Sequence, residues 1–227
     1  MKAKKVYEFR TSGEIIKMGA DEYYKKLIQK WLNEYMYNFK FELKNNILIL
    51  TEINDKVIFL NKIIEFPPFF NNFESIIING NLNLMDSKLK KLPDNLIKIN
   101  GYLDLSMSDN IVELPEKLLE VKGLDISYTN IKKLPDNLTK INGNLFLNNS
   151  KIQKLPDNLK VGENLDISET TDIKKLPNNL YIYETLDIHD SNITELPDDL
   201  IVSSIFIDED KLYYFKNKFP QYKFITN

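Results

Sequence analysis

Residues 131–150 read IKKLPDNLTKINGNLFLNNS, and this stretch sets the pattern for most of the chain. Its Leu-Pro dipeptide recurs, and successive prolines are 22, 20, 21, 21 and 20 residues apart: Pro93, Pro115, Pro135, Pro156, Pro177 and Pro197. A fixed period of this length is the signature of stacked structural repeats. Because one coil cannot bury its own apolar face, whereas stacked coils share a core, the pattern predicts a solenoid.

Two backbone geometries alternate within each repeat. Leu-x-Leu, as in Leu145 and Leu147, has period 2 and places both side chains on one face of a short strand. Leu-Pro-x-x-Leu predicts a tight turn on the opposite side of the coil, since proline lacks a backbone donor and fixes φ. A glycine precedes five of the repeat strands, and we expect a sharp turn at each of these glycines. They are Gly80, Gly101, Gly123, Gly143 and Gly162.

A small hydroxyl residue follows the second apolar residue of each strand by three positions. The column consists of Ser87, Ser108, Thr129, Ser150, Thr170 and Ser191. Such side chains can satisfy backbone groups left open where the chain leaves a strand. We therefore expect a hydroxyl ladder inside the solenoid.

The two ends carry different patterns and predict three regions: an N-terminal capping region over 1–65, repeats over 66–210 and a C-terminal cap over 211–227. Residues 21–37 place apolar and aromatic side chains on one helical face, and 39–44 with 47–52 predict a hairpin. At the other end, residues from 210 predict a short helix that stops before Pro220, followed by an edge strand. Alternatively, the helix around Trp31 binds a partner.

Composition excludes several kinds of site. The chain has 227 residues, a net charge of -3, one histidine and no cysteine. Disulfides, thiolate metal sites and cysteine nucleophiles are therefore absent, and one histidine builds no histidine metal cluster. No phosphate-loop, dinucleotide, zinc-protease or nucleophile-elbow motif occurs, so we expect no catalytic activity, cofactor or metal. Without an apolar segment of about 18 residues or a signal pattern, we expect a cytoplasmic protein.

The residues between the strand leucines are candidates for binding, because they point away from the core. This column consists of Asn83, Asp104, Asp125, Phe146, Asp166, Asp187 and Phe206. Stacked aspartates repel one another, so we expect them to contribute nothing to folding and to favour a protein partner with a basic surface. The alternative is that aspartate keeps the sheet soluble and was copied with the repeat.

Phe146 and Phe206 depart from the aspartate of that column and are typical of interface anchors. We expect Phe146 to be the main anchor, whereas Phe206 has the alternative of packing under the C-terminal helix. His189 lies in the next column with Ser168 and Asp208. That set superficially resembles a catalytic triad, but a repeat sheet offers no oxyanion hole, so we interpret His189 as a surface residue of the binding face.

Lysines precede the Leu-Pro turns and predict a basic stripe along one flank: Lys90, Lys91, Lys132, Lys133, Lys154, Lys174 and Lys175. A basic stripe suits phosphate backbones, which makes nucleic-acid binding an alternative function. The net negative charge and the single arginine, Arg10, argue against it. A further alternative is an architectural subunit of a larger assembly.

The repeat L-P-x-x-L-x-x-[IV]-x-G-x-L-x-L-x-x-[ST]-x-[IL] resembles leucine-rich repeat proteins of the short bacterial and phage class, over about 66–212. It departs from the commonest pattern of that family by carrying Ser or Thr where Asn or Cys is usual, a feature similar to phage-encoded repeats. The stretches KVYEFRTSGEIIKMG and KLIQKWLNEY also resemble the leader of those phage proteins.

The resemblance implies an α/β-type, curved leucine-rich repeat solenoid. Its parallel β-sheet lines the concave face, between a helical and hairpin N-terminal cap and a short helical C-terminal cap. It further implies a phage-encoded inhibitor of a host defence protein, located in the host cytoplasm. Closed caps predict a monomer, and neither a membrane nor a cofactor is expected.

Overall fold

The computed structural model describes residues 20–53 and 60–226. Residues 1–19 and 54–59 of the predicted N-terminal capping region lie outside the described residues. The helices are α1 (Ala20–Tyr35) and α2 (Leu212–Lys218), with 3-10 turns at Pro68–Asn72 and Glu209–Lys211. The strands are β1 (Phe39–Lys44), β2 (Ile47–Glu52), β3 (Ser75–Asn79), β4 (Leu82–Asn83), β5 (Leu96–Asp104), β6 (Glu120–Asp125), β7 (Lys140–Ile141), β8 (Leu145–Phe146), β9 (Lys160–Val161), β10 (Leu165–Asp166), β11 (Tyr181–Ile182), β12 (Thr185–Asp187), β13 (Ser204–Phe206) and β14 (Phe224–Ile225).

The strands form one sheet in which β1 and β2 pair antiparallel and the later pairs are parallel. In the Leu-x-Leu strip, each first leucine pairs with its counterpart on the next coil, as Leu103 does with Leu124 and Leu124 with Leu145. These leucines are fully buried. Each burial stabilises the fold by about 1.5–3 kcal/mol, so the leucine ladder holds the coils together. The predicted solenoid with a parallel sheet is confirmed.

A second strip of short strands precedes the Leu-x-Leu strip on each coil. It contains β7, β9 and β11, which pair in parallel, and β7 also pairs with β6. Strands β5 and β6 run through both strips, so Gly101 and Gly123 lie inside strands and the sharp turn expected at these glycines is wrong. The pairing of β5 with β6 shifts register between Ile99 and Tyr102, so Gly101 lies at a local irregularity of the ladder and not at a turn.

Close approach between coils explains a glycine such as Gly162. A Cβ there would lie 2.0 Å from the carbonyl oxygen of Asn142, so any side chain would push the two backbones apart. Gly80, Gly143 and Gly162 lie at bends of the chain, as expected, and Gly80 alone among the repeat glycines has a positive φ, of 140°.

The Leu-Pro turns on the opposite side of the coil are confirmed. The carbonyl of Pro93 accepts the N–H of Leu96 at 3.0 Å, and that of Pro135 accepts the N–H of Leu138 at 2.9 Å. Proline thus opens a tight turn with its carbonyl as acceptor, while its missing N–H is not needed by a strand.

The predicted hydroxyl ladder is also confirmed. The Ser108 hydroxyl donates to the carbonyl of Leu84 and accepts the N–H of Ser87, both at 3.0 Å. Thr170 donates to the carbonyl of Leu147 at 3.0 Å. All six members are buried, so each one satisfies backbone groups that water cannot reach.

Aromatic packing joins both ends to the solenoid core. Trp31 on α1 is buried, and its ring lies 5.1 Å from that of Phe70 in the first 3-10 turn. Because this side chain is committed to the core, it is not available to a partner. At the other end Phe215 on α2 packs against Phe224 on β14, with ring centroids 5.8 Å apart.

Candidate binding face

The side of the Leu-x-Leu strip that points away from the core is called the open sheet face here. Its central column consists of Asn83, Asp104, Asp125, Phe146, Asp166, Asp187 and Phe206, paired in register from strand to strand. Every member is half-buried. The structure therefore brings the predicted residues of this column together, with neighbours one strand spacing apart, about 4.8 Å.

The aspartates of the central column bind their own backbone. Asp104 accepts the N–H of Ser106 at 3.0 Å, and Asp166 accepts the N–H of Ser168 at 2.9 Å. Asp125 and Asp187 accept the equivalent N–H two residues on, at 2.9 and 3.1 Å. The expectation that they contribute nothing to folding is therefore wrong, because each one satisfies the N–H where its strand ends.

These aspartates nonetheless create an electrostatic cost. Burial raises the pKa of Asp125 above its usual value against the hydrogen bonds from Ser127, and the charges of Asp104 and Asp166 add to the rise. Burial also raises the pKa of Asp187, which the hydrogen bond from His189 partly offsets. A cation brought to this column would relieve that cost.

Phe146 interrupts the aspartates and has no such hydrogen-bonding role. Its half-buried ring lines two depressions of the open sheet face, with volumes of about 320 and 350 Å³. The first also contains Asp104 and Asp125, and the second contains Asp166 and Asp187. The Phe146 ring therefore lies between two acidic depressions and contributes to the lining of both.

Phe206 lies on the open sheet face at the far wall of the second depression. Its ring meets that of His189 edge to face, with centroids 5.3 Å apart. The rings that pack against the C-terminal helix residue Phe215 are those of Tyr214, Phe219 and Phe224. The structure therefore favours the interpretation of Phe206 as part of the open face over packing under that helix.

His189 pairs with the aspartate of its own strand. Its Nδ1 lies 2.7 Å from Oδ1 of Asp187. Burial lowers the pKa of His189, but the hydrogen bond and charge of Asp187 outweigh it, and the pKa stands above its ordinary value. Asp208 instead binds Lys211 at 2.7 Å and accepts the N–H of Asp190. His189 therefore pairs with Asp187 and Asp208 pairs with Lys211, so the triad-like set of Ser168, His189 and Asp208 is not assembled.

Tyr102 is a residue of the open sheet face that the sequence analysis missed. It lines the first depression together with Phe146, and its hydroxyl would lie 2.8 Å from a Cβ at Gly143, on the coil that carries Phe146. A Cβ at Gly123 would lie 2.2 Å from the Tyr102 ring, so the ring rests directly over that glycine on the next coil. Lys122 lies 5.6 Å from the ring centroid. The signal was present: at this position the other repeats carry small or polar residues.

Met107 and Tyr128 form an apolar rim at the ends of β5 and β6 and were also missed. Both have left-handed backbones, with φ of 59° and 55°, and both are exposed, at 52% and 43%. The same position in other coils is also left-handed but polar: Asp86, Asn149, Glu169 and Asp190. Met and Tyr adopt this conformation at a cost, which makes the rim a departure from the repeat.

The lysine flank is interleaved with acidic residues. Lys133 Nζ lies 2.9 Å from Glu116, whose hydrogen bond and charge raise the pKa of that lysine. Lys91 pairs with Asp94 at 3.1 Å. Lys133 and Lys154 do stack on neighbouring coils, but Glu113 and Glu195 occupy the equivalent position on two others. Ion pairs therefore neutralise two of the seven lysines of the predicted basic stripe, Lys91 and Lys133.

Residues 20–53 and 60–226 contain no group of three or more His, Cys, Asp or Glu side chains arranged to hold a metal ion. None of the helices in this described part is both long and apolar enough to cross a bilayer. No protein-family model matches the chain, and a search of curated proteins finds no match either.

Proposed function

We propose that this protein is a non-enzymatic binding module that holds a partner protein on the open sheet face, with Phe146 as the anchor. The aspartates Asp104, Asp125, Asp166 and Asp187 surround the anchor, and Phe206 with His189 extends the face. The partner presents a basic surface. In this proposal the chain is a curved leucine-rich repeat solenoid with the open sheet face on its concave side, and its two ends act as caps.

The main support for the proposal is that Phe146 stands where four other coils carry an aspartate. At the equivalent position of four coils an aspartate satisfies the backbone N–H two residues on. Phenylalanine cannot do this, and its ring is only half-buried. Folding therefore gains little from the change, whereas an exposed aromatic ring among polar groups is typical of an interface hot spot.

The charge of the face supports a basic partner. The carboxylates of the central column lie on successive strands, about 4.8 Å apart, and burial already disfavours the ionised form of Asp125. A lysine or arginine at the face would offset both effects. Electrostatic attraction of this kind also accelerates association and weakens as salt screens it.

A pull-down from host-cell lysate tests the proposal with three forms of the chain. Wild type is compared with Phe146→Asn, which removes the ring but keeps a side chain able to accept the N–H of Asn148. Asn83 sets the precedent, since it accepts the N–H of Met85 at 3.2 Å. Tyr213→Ala is the matched control, because Tyr213 on α2 is an aromatic residue that is 82% exposed.

We expect a protein that wild type and Tyr213→Ala retain and Phe146→Asn loses, with retention that falls as salt rises. Equal recovery by all three forms would remove Phe146 as anchor. Retention that does not change with salt would remove the aspartates from the interface. Nucleic acid in the eluate that a Lys132→Glu, Lys133→Glu variant loses would favour the lysine flank instead.

The resemblance to phage-encoded repeats extends the proposal to the biology. In that extension the protein is a monomer in the host cytoplasm and inhibits a host defence protein by covering a basic surface. The extension rests on the repeat pattern alone. Its test is whether the captured protein belongs to a defence system and loses activity when this chain is added.

A further inference from the structure

We propose that the open sheet face recognises two lysine or arginine side chains placed four residues apart on an extended segment of the partner. The inference rests on the proposed function and specifies its ligand. The two acidic depressions are the binding subsites, and the partner segment runs along the central column, across the strands.

The order of residues along the central column is what divides the face into two subsites. After Asn83 it reads Asp, Asp, Phe and then again Asp, Asp, Phe, one residue per coil. Each pair of aspartates is therefore followed, on the next coil, by a phenylalanine. The two pairs are displaced by three strands, which corresponds to about 14 Å.

The first subsite combines carboxylates with aromatic walls. Asp104 and Asp125 line the depression of about 320 Å³ together with the rings of Tyr102 and Phe146. A cation that reaches a ring face beside these carboxylates gains both cation–π attraction and charge-assisted hydrogen bonds. Met107 and Tyr128 follow these aspartates by three residues and are exposed, but they do not line the depression.

The second subsite repeats this arrangement. Asp166 and Asp187 lie between Phe146 and Phe206 in the depression of about 350 Å³. Thr185 and Asn164 add polar groups to its lining. His189 binds Asp187 from one side, which leaves this subsite less negative than the first when the histidine is protonated. We therefore expect the first subsite to contribute more of the affinity.

The spacing between the subsites selects the conformation of the ligand. In an extended segment, positions i and i+4 point to the same side and lie about 14 Å apart. On a helix, positions i+7 and i+11 share the face of position i, but they lie about 10.5 and 16.5 Å away. The extended segment therefore matches the two depressions, and the helix does not.

Selection from a displayed library of random twelve-residue peptides tests the inference on the full chain. Wild type is compared with an Asp125→Asn, Asp187→Asn variant, in which each amide still accepts the backbone N–H. The control is Glu113→Gln, Glu116→Gln, which removes the same charge from the lysine flank. We expect basic pairs at i and i+4 to be enriched about tenfold over those at i+3 or i+5, which is the effect of one cation–aromatic contact. The aspartate variant should lose this preference and the control should keep it.

Enrichment of basic residues without a preferred spacing would overturn the inference, because it would show unspecific attraction. Enrichment that survives the aspartate substitutions, or no enrichment at all, would overturn it as well. Failure here is distinct from failure of the proposed function. A lysate protein that wild type retains and Phe146→Asn loses preserves binding through the open face, even if the peptides show no i, i+4 preference.

Discussion

The buried hydroxyl ladder and the central column of the open sheet face are both polar columns that follow the repeat, yet they tolerate change differently. The hydroxyl ladder carries Ser or Thr at every one of its positions, whereas phenylalanine twice replaces aspartate in the central column. Ser108 serves two buried backbone groups, so no apolar residue fits there. The Phe146 side chain serves no backbone group, and Asn148, whose N–H lies two residues on, is half-buried, so the position is free to carry a residue that serves binding. A departure from the repeat is thus informative only where folding permits it.

The largest loss of stability is expected when a repeat glycine is replaced. Gly162 faces the backbone of the preceding coil, whereas Gly123 lies under the Tyr102 ring of the open sheet face. In Gly162→Ala the new Cβ meets the carbonyl of Asn142 at 2.0 Å, whereas in Gly123→Ala it meets the movable Tyr102 ring at 2.2 Å. We expect Gly162→Ala to lower the free energy of unfolding by about 3 kcal/mol and Gly123→Ala by about 1 kcal/mol or less. Chemical denaturation measures both. Equal losses would show that the Tyr102 ring is held as rigidly as the backbone.

The next effect compares the two columns directly. Ser108→Ala removes the hydrogen bonds of this hydroxyl to the Leu84 carbonyl, the Ser87 N–H and the Ser87 hydroxyl, while that carbonyl and N–H still bind each other at 3.1 Å, so we expect a loss of about 1–2 kcal/mol in the free energy of unfolding. Asp104→Ala removes hydrogen bonds from Ser106 that are only half-buried, and about 0.5–1.5 kcal/mol is expected. If Asp104→Ala costs more than Ser108→Ala, the central column is the main structural ladder and the contrast is reversed.

Sequence periodicity predicted the elements that a repeat must reuse. Leu145 in a strand with Leu147 buried just beyond it, the turn at Pro135 and the buried Ser108 all follow from what each geometry requires of one residue. The outward position of Phe146 followed from the same period. Tyr102 was missed because its role depends on Gly123, which lies on the next coil and becomes a neighbour only when the register is known.

Backbone conformation was the other part that the sequence did not reveal. Met107 and Tyr128 occupy a left-handed position that in most proteins is marked by glycine or asparagine. Asp86, Asn149 and Asp190 tolerate this conformation, but Met107, Tyr128 and Glu169 do not favour it, so the column carries no uniform signal of a positive φ. The hydrogen bond from each aspartate to the N–H two residues on was likewise hidden, since it needs the turn that follows the strand.

A smaller effect separates the charge of Asp125 from its hydrogen bonds. Asparagine keeps the acceptor for the N–H of Ser127 and removes a carboxylate whose pKa burial raises. A raised pKa means that the ionised form is disfavoured in the folded state, so wild type loses stability as pH rises past the ordinary value of 3.8. At pH 7 we expect Asp125→Asn to be at least as stable as wild type in thermal unfolding, and Asp125→Ala to be less stable by about 1 kcal/mol. Destabilisation by Asn equal to that by Ala would show that the charge itself supports the fold.

The smallest effect is a pH dependence at the end of the open face. The pKa of His189 lies above its ordinary value of 6.5 because of Asp187, with smaller contributions from Asp190 and Asp166. The stabilisation is therefore complete below pH 6.5 and is lost as pH rises through the folded-state pKa. We expect the stability difference between wild type and His189→Asn to be larger at pH 6 than at pH 8.5, by less than about 1 kcal/mol because the pair is partly exposed. In an Asp187→Asn background the difference should vary less with pH, because only the smaller contributions of Asp190 and Asp166 remain. An undiminished variation would assign the raised pKa to Asp190 and Asp166, and would leave the carboxylate of Asp187 free to bind a partner at every pH.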